Sequence, residues 1–415
     1  MIYCYNFFIR LYSVAAFLFG LFNTKANQWV NGRKKLLSKI QKAFENNTDK
    51  VVWMHCASLG EFEQGRPIIE KLKNENPNNK ILITFFSPSG YEIQKNYQYA
   101  DWVFYLPIDT AKNVESFYNI VQPSLIIFVK YEFWYFYIKE AAKRKIPLLL
   151  VSGVFRQNQP FFKWYGKLHL EMLNYFTNFF IQGQLSFNNL TSIHQQNNIT
   201  ICGDTRFDRV IEIANSSYQN NIIEEFIGDD LVVIVGSSWR DDDLVLDHYA
   251  NTHPKIKFII APHEVHEERL QECLEYFKNS ILYSTLSKTK SNSNILIIDN
   301  VGMLSKLYRY ASICFVGGGF GGDGVHNVVE AAVYSKPVIF GPIFDKFREA
   351  TELESIGGAI TIENALELEA CLDELLINEN KRHSIGQIAG NYVKANAGAT
   401  ETIIEYIYAN RLLTK

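Results

Sequence analysis

The stretch FVGGGFGGDGVHNVVEAA, residues 315–332, reads as the end of an apolar β-strand, a glycine-rich turn and the opening of a helix. Six of the eight residues 317–324 are glycine, which lets the backbone come close to a ligand. A helix beginning near His326 or Asn327 directs free N–H groups at a phosphate, and Glu330, three residues after Asn327, reaches back as a cap or accepts from a ribose. A tight turn alone is the competing reading. The strand–loop–helix context and the HNxxE ending favour nucleotide binding, with Gly318, Gly319, His326, Asn327, Val328, Val329 and Glu330 as the residues to watch.

Working outward, three more turns follow apolar runs in the same half: GSSWRDDD (236–243), APHEVHEER (261–269) and DNVGML (299–304). They offer Gly236, Ser237 and Ser238, then Pro262 and His263, then Gly302, Met303 and Leu304 to the same ligand. The runs themselves (231–235, 257–261, 280–283, 295–298, 313–316, 337–340) alternate with helical stretches such as 266–277 and 327–334, the rhythm of βαβ units on a parallel sheet. Asp241 and Asp243 form a DxD. They sit at a helix opening, where acidic residues complement the dipole, without metal-spaced His or Glu, so no metal site is expected.

The same rhythm fills the first half, with strands expected at 51–55, 80–85, 102–106, 125–129, 147–151, 179–182 and 199–202. The fold class is therefore α/β with two tandem Rossmann-like domains, 25–214 and 215–415, whose strand ends face a cleft. The boundary is expected between Thr205 and Asp229, around NSSYQNN (215–221), with the terminal helices packing back towards the first domain. After the first strand comes HCASLGEFEQGRP (55–67), in which Glu61 opens a helix. It serves either as a general base or as a dipole-complementing carboxylate. KYEFWYF (130–136) brings Glu132 to a strand end, and FRQNQPFFKWYGKLH (155–169) mixes Arg156, Lys163 and Lys167 with aromatics, either a surface for a phosphorylated lipid or a half-buried helix.

Residues 7–22, FFIRLYSVAAFLFGLF, are apolar but for Arg10, and residues 1–24 are read as a membrane anchor. Lys25, Arg33, Lys34, Lys35, Lys39 and Lys42 follow, which favours the cytoplasmic leaflet. A buried core helix is the alternative. A signal peptide fits poorly, having only Arg10 in its n-region and no small-x-small site. With 41 Lys+Arg against 44 Asp+Glu, the net charge of −3 places about +6 in the first fifty residues and about −9 in the rest, which excludes a general nucleic-acid binder. Six scattered cysteines without CxxC spacing argue against zinc or a disulfide framework.

The apolar amino-terminal segment, SLGE ending in Glu61, YEFW containing Glu132, GDTRFD (203–208), GSSW, the PH and VGML turns and GGDGVHNVVEAA together resemble the bacterial 3-deoxy-D-manno-octulosonic acid (Kdo) transferases over essentially the whole chain. The resemblance implies a GT-B glycosyltransferase of the inner membrane, its body on the cytoplasmic face. It implies inverting, metal-independent transfer of Kdo from CMP-Kdo to the lipid A precursor, with no cofactor. Glu61 is then the catalytic base, Glu132 and Arg156 are acceptor-side candidates, and the donor falls on Pro262, His263, Gly302, Met303, Leu304 and 327–330, with Arg206 on its phosphate or carboxylate. Two departures stand out. Lys130 occupies a position where the family commonly has a carboxylate, and Ser152, Gly153 and Val154 replace its Asn-x-Arg turn, leaving Arg156 as the substitute. Another two-domain transferase using a UDP-sugar on a lipid acceptor, or a catalytically silent membrane-tethered nucleotide-binding protein, are the alternatives.

Overall fold

Near-continuous apolar runs become strands buried on both faces, as parallel sheets require. In the computed structural model, which describes residues 2–195, 197–286, 288–289 and 291–413, the first unit holds β1 (Val51–Cys56), β2 (Lys80–Phe85), β3 (Trp102–Tyr105), β4 (Pro123–Val129), β5 (Leu148–Gly153), β6 (Asn178–Ile181) and β7 (Ile199–Ile201). They pair in parallel in the order β3-β2-β1-β4-β5-β6-β7. Alternate side chains of β1 enter two different cores: Val51 and Trp53 pack with Phe117 and Phe128, while Val52, Met54 and Cys56 pack with Phe62 and Ile69.

The second unit repeats the plan with β8 (Val232–Ser238), β9 (Lys257–Pro262), β10 (Ser280–Leu282), β11 (Ile295–Ile297), β12 (Ile313–Val316), β13 (Val338–Phe340) and β14 (Ala359–Thr361), in the order β10-β11-β9-β8-β12-β13-β14. Strand β14, three residues in GGAIT, is too short to stand out in the sequence. In each sheet the direction of crossover reverses once, between β1 and β4 and between β8 and β12. Crossover helices leave such a switch point uncovered, so a ligand crevice opens outside the carboxyl ends of those two strands.

The compact units comprise residues 1–209 with 397–415, and 210–396. The division thus falls within the helix Thr205–Asn215, ahead of the polar run around 215–221. Arg209 explains its position, since its guanidinium pairs with Glu70 of the first unit (3.1 Å). Asp208 of GDTRFD receives the backbone N–H of Gly398 (2.6 Å) and Thr400 (2.7 Å), capping the helix Ala399–Ala409. That helix buries Ile403, Ile404 and Ile407 beside Phe180.

At the amino end, α1 (Ile2–Phe19) is followed by α2 (Thr24–Gly32) and α3 (Leu36–Phe44). Tyr5 pins α1 to the sheet by donating to Asp109 (2.5 Å), whose carboxylate also accepts from Phe136 and Tyr137 N–H (3.2 Å each). Tyr12 packs on Trp29 and Phe86. The other side of α1 stays bare, with Phe7, Phe8, Val14, Phe17 and Phe19 exposed. Arg33 leaves the basic run that follows: its guanidinium lies over Trp29, Phe86 and Tyr105 and donates to the carbonyls of Leu106 and Phe86.

The second switch point depends on a close backbone approach. A Cβ on Gly317 would lie 2.5 Å from the carbonyl oxygen of Ser237 and 2.7 Å from Ser238 Cα, and neither can swing aside. Gly317→Ala is therefore expected to destabilise the second unit by about 1–3 kcal/mol, the usual cost of overpacking. Urea denaturation followed by tryptophan fluorescence checks this, and an unchanged midpoint would contradict the close approach.

Candidate functional site

Glu61 and Glu132 come from the turns after β1 and β4, the two strands that flank the first switch point. His55, near the end of β1, is fully buried and stands in register with Thr84 of β2. Its Nε2 meets Glu132 Oε2 at 2.8 Å, and its Nδ1 lies 2.9 Å from Thr84 Oγ1 and 3.0 Å from the Thr84 carbonyl. Nδ1 either accepts from the threonine hydroxyl or donates to the carbonyl. In the first case the neutral imidazole keeps its proton on Nε2, facing Glu132; in the second, Nε2 carries one only in the imidazolium form. Trp53 Nε1 donates to Thr84 Oγ1 (2.8 Å), and Trp134 Nε1 donates to Glu132 Oε2 (2.6 Å). A buried carboxylate is thus held from two sides by a chain of hydrogen bonds crossing β2, β1 and the β4 turn.

Glu61 sits in the first turn of α4 (Leu59–Glu75) and accepts from Ala57 N–H through Oε2 (2.5 Å). Partial burial lifts its pKa, and the negative charge of Glu132 lifts it further. The N–H groups of Ala57 and Ser58 and the ammonium of Lys130 pull it down, and the balance lies at about 7. Such a carboxylate is divided between acid and base forms at neutral pH, which suits proton abstraction. Lys130, at φ 65°, and Ser152, at φ 53°, adopt left-handed backbone at the ends of β4 and β5, as does Ser237 (φ 54°) near the end of β8. Non-glycine residues in this region are strained by roughly 1–3 kcal/mol each, a cost found mainly at ligand-binding edges. Tyr131 lies within the electrostatic reach of Arg156, Arg206 and Glu61, so these side chains share one neighbourhood.

In the second unit, Gly236, Ser237 and Ser238 end β8, and Gly317–Gly319 follow β12 across the second switch point. Asp242 joins them: it accepts from Trp239 N–H and Gly318 N–H at 2.8 Å each, and burial raises its pKa to about 6. Gly318, at φ 92°, turns the loop here. Trp239, His263 and His326 form a stack, with His263 4.6 Å from Trp239 and 4.4 Å from His326 between ring centres. Trp239 Nε1 donates to His326 Nε2 (2.8 Å), which fixes that imidazole as the Nδ1–H tautomer, and burial and His263 lower its pKa to about 4. His326 is therefore neutral at physiological pH. Pro262 ends β9, and Gly302 and Met303 precede a four-residue helix starting at Leu304.

Several expectations are corrected. The helix after the glycine loop is Val329–Ala332, four residues long, and does not begin at His326 or Asn327. Asn327 accounts for the difference, because its side chain accepts from Val329 N–H (3.3 Å) and donates to Glu330 (2.9 Å), holding residues 326–328 outside the helix. Arg206 keeps its expected place in the first unit, where its guanidinium pairs with Asp204 (2.8 Å). Residues 155–166 form a loop with one turn at Pro160–Phe162, and 167–169 open the helix Lys167–Leu173. The loop buries Phe161 and leaves Trp164 96% exposed. In the DxD, Asp243 is paired with buried Arg269. His55, Thr84, Trp134, Trp239 and Asp242 were not singled out from the sequence, although a polar residue inside an apolar strand run, VVWMHC, is a visible signal for His55.

Residues 31–209 match the family model described as 3-deoxy-D-manno-octulosonic-acid transferase (kdotransferase). The chain is 25% identical to the 3-deoxy-D-manno-octulosonic acid transferase of Haemophilus influenzae over 86% of each chain. It is 26% identical to that of Aquifex aeolicus, over 80% of this chain and 87% of the relative. A bifunctional glycosyltransferase/methyltransferase of Fusobacterium nucleatum is 27% identical over 71% of this chain, which spans about half (47%) of that relative. Among solved structures, UDP-GlcNAc 2-epimerase from Neisseria meningitidis bound to UDP-GlcNAc superposes with a TM-score of 0.61 at 16% identity, covering 87% of this chain and 100% of that one. MurG of Acinetobacter baumannii gives 0.53 at 11% identity, covering 87% and 99%. At these identities the structural likeness is one of fold.

The two charges beside Glu61 act in opposite senses. Glu132→Gln is expected to lower the Glu61 pKa below about 7, and Lys130→Met to raise it. A titration of the Glu61 carboxyl by 13C NMR in each variant reads both shifts. Equal values in all three proteins would refute the electrostatic coupling.

Proposed function

We propose that this chain, whose residues 31–209 match the Kdo transferase family model and which is 25–26% identical to two such transferases over most of its length, is a glycosyltransferase of that family and carries out inverting, metal-independent transfer of Kdo from CMP-Kdo to a sugar hydroxyl of the lipid A precursor. The observation that carries this reading is Glu61, a half-buried carboxylate at a switch-point turn with a pKa of about 7.

In this mechanism ionised Glu61 takes the proton of the acceptor hydroxyl as its oxygen attacks the anomeric carbon of Kdo. The bond to the phosphate oxygen breaks and CMP leaves with the electron pair. Glu132, fixed by His55 and Trp134, keeps Glu61 basic enough to act at neutral pH. Lys130 stops the pair of carboxylates from pushing that pKa higher. On the donor side, the strand-end turns at 236–238 and 317–319 and the Trp239–His263–His326 stack form the nucleotide pocket. Backbone N–H groups there stabilise the departing phosphate.

The body is proposed to lie on the cytoplasmic face of the inner membrane. Helix α1 spans 18 residues, about 27 Å at 1.5 Å per residue, slightly short of a hydrocarbon core of about 30 Å. Tyr5 and Tyr12 hold it against the first unit, which supports an in-plane anchor with its outer aromatics in the acyl region.

Transfer from CMP-Kdo to a tetraacylated lipid A precursor, run with a chelator, tests the reading. Wild type is expected to form product and Glu61→Gln to lose at least about 10²-fold in turnover with CMP binding kept. Product from Glu61→Gln at the wild-type rate would remove the base, and thermal protection by UDP in place of CMP would redirect the donor. For the anchor, Phe7, Phe17 and Phe19 changed together to Ser should abolish co-flotation with anionic vesicles. Undiminished flotation would place the attachment elsewhere.

A further inference from the structure

Between α1 and the first sheet lies a cavity of about 450 Å³ that the transfer mechanism leaves unused. Phe8, Leu11 and Tyr12 line it from the helix, and Leu106, Ile108 and Trp134 from the sheet edge. The few polar groups in its wall are already engaged. Asp109 is held by Tyr5 and two backbone N–H groups, the hydroxyl of Ser13 donates to the Ile9 carbonyl, and the indole N–H of Trp134 is taken by Glu132. Apart from the Tyr12 hydroxyl the wall offers carbon, so the occupant it fits is a hydrocarbon.

The two ends of the cavity differ. Phe8 and Leu11 are 64% and 49% exposed on the bare face of α1, so one end opens where the anchor meets lipid. The other end reaches Trp134, which is bonded to the carboxylate that tunes Glu61. A chain entering there runs under α1 towards Trp134, one hydrogen bond away from Glu132.

We propose that this cavity binds one acyl chain of the lipid acceptor and thereby sets the distance between the acceptor's hydroxyl and Glu61. The proposal rests on the reading of the acceptor as an acylated sugar. An acyl chain of a bulk phospholipid has the same chemistry, but only the acceptor has to deliver a hydroxyl at the Trp134 end. The volume falls within the range of about 300–1,000 Å³ usual for small-molecule pockets.

Photocrosslinking of the full chain in micelles, using a lipid A precursor with a diazirine in one acyl chain, tests the assignment. Label is expected on Tyr12, Leu106 or Ile108, and is expected to disappear in Ala15→Trp, which fills the cavity from the helix while keeping the anchor apolar. In transfer assays Ala15→Trp, and independently Ser13→Trp, should raise KM for the acylated acceptor by about tenfold or more, as loss of a few buried methylenes implies. KM for CMP-Kdo serves as the reference for intact folding. Label confined to the outer face of α1, equal labelling of the cavity by a diazirine phosphatidylethanolamine, or unchanged acceptor KM in both filled variants would each overturn the proposal. Cavity labelling without any transfer would sink the transferase reading and leave the acyl site standing, whereas transfer without cavity labelling would do the reverse.

Discussion

The bond between His55 and Glu132 ties together most of what the first unit does. A carboxylate buried this deeply is tolerated only when its lone pairs are met, and here an imidazole and an indole meet them. The imidazole is in turn fixed by Thr84, one strand further on, so the position of the charge is set by the register of β1 on β2. Remove that register and Glu132 has no fixed place from which to act on Glu61. The chemistry of the turn is thus anchored in the sheet and does not depend on the loop's own stiffness.

Topology supplies the second constraint. In a wholly parallel sheet every strand ends on the same edge, and crossover helices cover the faces but leave the reversal point open. Both units put their chemically loaded turns there, carboxylates after β1 and β4 in one, and small residues after β8 and β12 in the other. The left-handed residues Lys130, Ser152 and Ser237 show where the backbone has been bent out of its easy range to present those turns.

Much of this was readable in advance because buried parallel strands are apolar throughout, so β1 to β13 announce themselves one after another. The place of Glu61 at a helix opening was readable from its turn. The environment that makes Glu61 useful was not, because His55 and Thr84 gain meaning only when strand register brings them together, 29 residues apart in sequence. Asn327 misled in another way. Its side chain satisfies a helix-terminal N–H and so delays the helix that the HNxxE pattern places earlier. Arg33 looked like one more membrane-facing cation, but a guanidinium can lie flat on aromatic rings, and here it closes the layer between α2 and the sheet.

The capping of the helix Ala399–Ala409 by Asp208 has a consequence for biosynthesis. The first unit is discontinuous, and the residues between Arg209 and Ala397 take roughly 10–40 s to be added at cellular elongation rates. During that interval α1 and the seven strands of the first sheet emerge from the ribosome. The surface later covered by Ile403, Ile404 and Ile407 stands open beside Phe180, and the two acceptor oxygens of Asp208 await their amides. The second unit, continuous in sequence, has no such wait. The nascent chain is therefore expected to present the second unit complete while the first stays unsealed until the helix Ala399–Ala409 docks, a window in which the bare aromatic face of α1 is exposed on a unit that is not yet closed.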